Sequence, residues 1–282
     1  MTPYRTDRLL ARSEALSVHF DLGLRAYDAG DSVGVARHRA AVGMLPEGGP
    51  RSLQYLALKW RELWLGERWD EALDVARTAA ERYPDDADTA LELGDILTDL
   101  GADAEALETL LACARQNVDD PDLWYEVGVV AERTERWDIR HEAFSCVWDL
   151  EHEREPGFRL YLPEARFLQV AEDTIGRLPP TTRQALGNVA VMVDNYPDRW
   201  ILETEVSDPR LLGLFSGPER ALEGASDHVA WGPAMIHLFR WNIERVCSNE
   251  EEVVEQVEIT VLHEIGHYLG LDEEALHARG LG

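Results

Sequence analysis

Lysine is almost missing from this chain. Lys59 is the only one among 27 basic residues, which face 54 acids, so the net charge is −27. The shortage of positive charge runs throughout: residues 1–155 hold 33 acids and 17 bases, and residues 156–282 hold 21 and 10. Neither part has the field to hold a phosphate backbone, which argues against nucleic acid as a partner. No apolar run approaches 18 residues, so no membrane-spanning helix is expected. The first residues carry Arg5, Arg8, Arg12 and Glu14 in place of an apolar core, and no secretory signal is expected. Cysteine is scarce too. Cys113, Cys146 and Cys247 stand apart, odd in number, with no CxxC pair and no disulfide framework. That usage fits a reducing compartment and a cytoplasmic location. What remains, 45% hydrophobic and 29% charged, is a globular composition long enough for two modest domains.

The richest stretch lies late in the sequence, His263-Glu264-Ile265-Gly266-His267-Tyr268-Leu269-Gly270-Leu271-Asp272-Glu273, which reads H-E-x-x-H-x-x-G-x-x-E. Histidines four apart on a helix share one face, so His263 and His267 can reach a single ion, and imidazole suits Zn2+. Glu264 follows the first histidine, where its carboxylate can serve as general base toward a water. Gly270 can take the left-handed conformation that turns a chain back at a helix end. A catalytic zinc takes three protein ligands and keeps one position open. Glu273 has the spacing that the glycine turn serves and is the expected third ligand; Asp272, Glu274 and His277 are the alternatives.

The first half is helical and repetitive. Ala90-Leu91-Glu92-Leu93-Gly94 aligns with Trp124-Tyr125-Glu126-Val127-Gly128 at an offset of 34, which also sets Leu110 on Phe144 and Cys113 on Val147. Gly66 to Ala72 reads as the turn whose counterpart is Gly101 to Ala106, with one extra residue in the earlier copy. A weaker copy holds Leu22-Gly23, Gly30 and Ala36. The period and the small-large pattern resemble tetratricopeptide (TPR) repeats, in roughly four units over 14–152. The resemblance implies a short α-solenoid with a concave face for a peptide or protein partner. Trp60, Trp64, Trp69, Trp124, Trp137 and Trp148 are expected to pack between helices.

His152 to Gly157 is polar and ends in Pro-Gly, which places a boundary there and a second domain at 158–282. Pro163 opens a helix that Pro179-Pro180 ends. Short strands are expected at Gly187–Asp194 and Ala234–Phe239, and Leu211–Gly217 reads as a further short strand or a loop. A short helix near Trp241–Cys247 follows. Ser248-Asn249 and Glu250 to Glu252 then cap the metal-binding helix and give it an acidic first turn.

Several of these pieces together resemble the minimal zincin-type metallopeptidases, short bacterial proteins with an HExxHxxGxx(D/E) motif. The pieces are Leu178-Pro179, Asn188-Val189, Leu212 to Gly217, Pro233 with Ile236, and the motif from Thr260 to Glu273. The resemblance spans about 160–277. It implies zinc held by His263, His267 and an acid at position 273, with Glu264 catalytic. The family's third ligand is typically Asp, whereas Glu273 is one carbon longer. The fold class expected is therefore multidomain, an all-α TPR-like solenoid followed by a small α+β zincin-like domain. The function expected is zinc-dependent hydrolysis of a peptide or protein substrate, laid beside an edge strand that is either Met235–Phe239 or Leu211–Phe215. The competing reading is a TPR adaptor with a structural zinc closed by a fourth ligand. His237, mid-strand, is a candidate to polarise a substrate carbonyl but fits structure better; Tyr268 fits packing better than chemistry.

Overall fold

The computed structural model describes residues 14–187, 189–203, 208–216 and 235–281, and the chain divides into two compact units, Met1–Leu150 and Glu151–Gly282. Small residues opposite large ones set the first unit. It contains helices α1 (Glu14–Asp28), α2 (Ser32–Met44), α3 (Leu53–Leu65), α4 (Trp69–Arg82), α5 (Ala87–Asp99), α6 (Asp103–Ala114), α7 (Pro121–Arg133) and α8 (Trp137–Glu151). Consecutive helices pack as antiparallel pairs in a TPR-like solenoid. Gly94 lets α5 approach Leu110 of α6, and Gly128 lets α7 approach the Phe144 ring of α8, so the aligned positions meet in space. Trp60, Leu97, Leu110, Leu123, Trp124, Val127 and Val147 lie in one continuous core; Phe20, Val35 and Leu58 belong to a second, at the α1–α3 end.

The helix caps repeat as well. Ser52, Asp86 and Asp120 each accept a backbone N–H of the first turn of α3, α5 and α7 and are spaced by 34. Between the helices of a pair, Glu67 (φ 56°), Gly101 (φ 75°) and Glu135 (φ 56°) are left-handed, again 34 apart. The next residue's N–H reaches back in each case, Arg68 to Leu63, Ala102 to Leu97 and Arg136 to Ala131. This corrects one expectation. The 53–86 copy has no extra residue at its turn: Glu67, not Gly66, is the counterpart of Gly101. Between repeats, Tyr83 Oη donates to Arg51 O and Asn117 Nδ2 to Asp85 O, one contact made by two side-chain types at equivalent positions.

The second unit holds α9 (Glu164–Arg177), α10 (Pro180–Leu186), β1 (Ala190–Asp194), α11 (Arg199–Leu202), β2 (Gly213–Ser216), β3 (Met235–Phe239), α12 (Arg240–Arg245), α13 (Glu250–Tyr268) and α14 (Glu273–His277). β1 and β2 start later than expected, and Gly217 and Ala234 lie outside the described residues. Pro179-Pro180 both ends α9 and starts α10, which along with α11 and α14 was not anticipated. Sheet order is β1-β3-β2, with β1 parallel and β2 antiparallel to β3. Met235–Phe239 is therefore the central strand and not an edge, because both its sides are paired.

Strand alternation sends Ile236 and Leu238 toward α9 and α13, where they join Phe167, Val170, Val253, Val257, Val261 and Ile265 in one core. Burying each such side chain contributes about 1.5–3 kcal/mol. Ion pairs tie the loops down. Glu151 takes Arg210 and Arg245, each at 2.8 Å, and the Tyr196 hydroxyl at 3.0 Å. Burial, then the Glu151 carboxylate, push the Tyr196 hydroxyl's pKa up from its ordinary value. Among the described residues no helix is long and apolar enough to cross a membrane.

Candidate metal centre

The site is built on α13, and the start of that helix is firmly fixed. Asn249 Oδ1 accepts from Glu252 N at 3.0 Å, and the Glu252 carboxylate accepts from Ser248 N at 2.6 Å. This is a reciprocal cap on an acidic first turn. From there Val253, Val257, Thr260, Val261, Glu264, Ile265 and Tyr268 are buried along one stripe. Glu264 thus occupies a core-facing position, only 7% exposed, and a buried carboxylate needs a partner. It accepts from the backbone N–H of Phe215 in β2 at 2.8 Å.

Pairing explains why that N–H is available. Phe239 N donates to Leu212 O, so Leu212 and Phe239 form a hydrogen-bonded pair. Alternation along the antiparallel ladder leaves Phe215, opposite Ile236, with its N–H pointing away from β3. Close approach of β2 to α13 depends on Gly213, where a Cβ would lie 2.7 Å from Thr260 Cγ2 and 3.3 Å from Glu264 Cγ. The Phe215 ring then rests on Tyr268, centroids 4.8 Å apart, so Tyr268 serves packing.

His263 and His267 flank the buried stripe, half-buried, with ring centroids 4.5 Å apart and planes at 80°. Their Nε2 atoms face each other at 2.8 Å. Two imidazole nitrogens that close need a proton or a cation between their lone pairs. Both would serve zinc as nitrogen ligands. His263 Nδ1 donates to Leu281 O at 2.6 Å, since a carbonyl can only accept. The donor set thus suits zinc on chemical grounds.

α13 ends as the sequence indicates. Gly270 has φ 84°, its N–H meets His267 O at 2.9 Å, and Leu271 N meets Gly266 O at 3.0 Å. The chain turns into α14, whose N-cap is Asp272; its Oδ1 accepts from Ala275 N at 2.8 Å. Glu273 is the first residue of α14, and its side chain lies outside the described residues. Glu274 and His277 are exposed. Among the described residues no cluster of three metal-ligating side chains forms. His237 lies on the sheet face opposite Ile236 and Leu238, with Nε2 at 3.1 Å from Ser216 Oγ and Nδ1 at 3.6 Å from Asp194. That face is away from α13, so His237 is not grouped with the histidine pair.

Residues 186–282 match the zincin-like metallopeptidase family. Residues 63–125 match the tetratricopeptide repeat. The chain therefore joins TPR repeats to a zincin-like domain, and α13 with its H-E-x-x-H lies inside the latter. A search of curated proteins found no match. Solved structures similar to the chain include "MamA 41-end from Desulfovibrio magneticus RS-1", at 16% identity over 51% of this chain and 80% of that one, TM-score 0.38. Another, "Crystal structure of MamA protein", is 17% identical over 49% of this chain and 74% of that one, TM-score 0.39. Likeness that loose says nothing of function.

Leu281 and the backbone of Phe215 are the parts of the zincin-like site that motif reading missed. Both act through main-chain atoms, which leave no residue-type signal. Gly213 carried a faint one, a glycine inside a strand pattern.

Proposed function

We infer that the second domain, taken as 158–282, is a zinc-dependent peptidase. His263, His267 and Glu273 would hold the metal, and Glu264 would be the general base. The observation that carries this reading is the facing pair of imidazole nitrogens next to a buried carboxylate, beside a sheet edge. When bound, zinc supplies Lewis acidity toward a water and a carbonyl oxygen. Glu264, fixed by the Phe215 N–H, takes a proton from the attacking water and delivers it to the departing amine nitrogen as the C–N bond breaks. The water oxygen ends in the new carboxyl group. Strand β2, which has no strand on its outer side among the described residues, offers the edge for an extended substrate. The repeats, taken as 14–152, would select a substrate or protein partner in the cytoplasm, with neither nucleic acid nor membrane as a target.

The test pairs two substitutions. In His263→Ala, zinc content after purification without added metal should fall to near zero. In Glu264→Gln, zinc should stay and cleavage of a peptide library should fall by about 10²–10⁴-fold. Unchanged cleavage in Glu264→Gln would reject the mechanism. Full zinc retention in His263→Ala would reject the ligand set.

A further inference from the structure

We propose that the main-chain carbonyl of Leu281 is a positioning group for His263, delivered by a hook formed by α14 and two left-handed glycines. The inference rests on the reading of His263 as a zinc ligand. Gly270 turns the chain off α13 with φ 84°, and Gly280 turns it back with φ 71°. The second turn copies the first: Gly280 N meets His277 O at 3.0 Å, and Leu281 N meets Leu276 O at 3.1 Å. Between them, Leu276 is fully buried, and it sits where a Cβ on Gly266 would be. Gly266 is the notch that lets α14 lie against α13, one residue before His267. The hook ends with Leu281 O against His263 Nδ1 at 2.6 Å.

The chemistry of that contact is specific. A carbonyl accepts only, so it holds the proton of neutral His263 on Nδ1 and leaves the lone pair on Nε2. That is the nitrogen aimed at His267 Nε2. Partners of this kind fix both the tautomer and the ring plane of a ligating histidine, and their loss typically costs 10–100-fold in metal affinity. Packing alone would hold α14 in place but would not choose between the two ring nitrogens.

The experiment uses the full chain, a chain stopped after Arg279, and full-length Gly280→Val, which strains the left-handed turn without shortening anything. Zinc affinity is measured by chelator competition. The His263 tautomer is read from imidazole ¹⁵N shifts in metal-free protein, and circular dichroism checks the fold. The expected result is a drop in zinc affinity of about 10–100-fold in both variants. His263 should also change from Nδ1–H to a mixture of tautomers, and His267, whose Nε2 faces His263 Nε2, should follow. A parent that binds zinc, with folded variants that bind it as tightly and keep the Nδ1–H signal, would overturn the inference and leave the peptidase reading standing. A parent that binds no zinc would remove the peptidase reading and this inference with it.

Discussion

The two units reach order by opposite routes. In the repeats, cap, turn and close contact recur every 34 residues and join neighbours in the chain, as in Asp86 with Thr89 or Gly94 with Leu110. In the zincin-like unit the contacts that matter span long stretches of chain: Phe215 with Glu264, His263 with Leu281, Glu151 with Arg245. A local scheme tolerates substitution, because each copy can solve the same problem with a different residue. Tyr83 and Asn117 do so, as do Glu67 and Gly101. A scheme built from single distant contacts has no spare copy.

The largest test of that contrast is Glu151→Ala. It leaves Arg210 and Arg245, whose side chains are only 12% and 18% exposed, along with the Tyr196 hydroxyl, short of their shared acceptor. Losing one member of a buried ion cluster costs about 3–5 kcal/mol, and the second unit should lose its cooperative unfolding transition first. Retention of that transition in chemical denaturation would show that the single contact is dispensable.

A smaller effect separates two equivalent glycines. In Gly128→Ala the new methyl meets the Phe144 ring, which is held by stacking on Tyr125 at 5.6 Å and by Arg140 above it. Overpacking of about 1–3 kcal/mol should outweigh roughly 1 kcal/mol gained in helix propensity. In Gly94→Ala the methyl meets the flexible end of Leu110 at 3.0 Å, and the net change should be near zero. Equal losses in denaturant melts would mean that the copies are not independent.

The smallest effect lies in the turns. Glu135→Gly relieves a left-handed glutamate and should gain up to about 1 kcal/mol, while Gly101→Ala at the same place should lose about as much. Melting midpoints of the two variants check the opposite signs; a shared sign would mean that the turn does not set stability.

Legibility in the sequence followed the same divide. The period was visible because Gly94 and Gly128, or Leu110 and Phe144, answer to one local geometry. Gly66 offers a left-handed position by residue type, whereas Glu67, which adopts it, carries no such sign. In the second unit the H-E-x-x-H was plain, and so was the Gly270 turn. The place of β3 in the sheet was not, since Met235–Phe239 reads alike as edge or centre until its neighbours are known. The short helices α11 and α14, of four and five residues, escaped because about one turn is too brief for an apolar position to recur, and α10 escaped because Pro179-Pro180 reads as a helix end.

The Phe215 N–H given over to Glu264 bears on how a chain could lie along β2. A docked backbone would find Gly213 ready to exchange both bonds, and Phe215 able only to accept. One carbonyl of the visitor would therefore meet no amide. The carboxylate that takes the place of a visiting strand at Phe215 is Glu264, so the edge of the sheet and the buried acid of α13 share one amide.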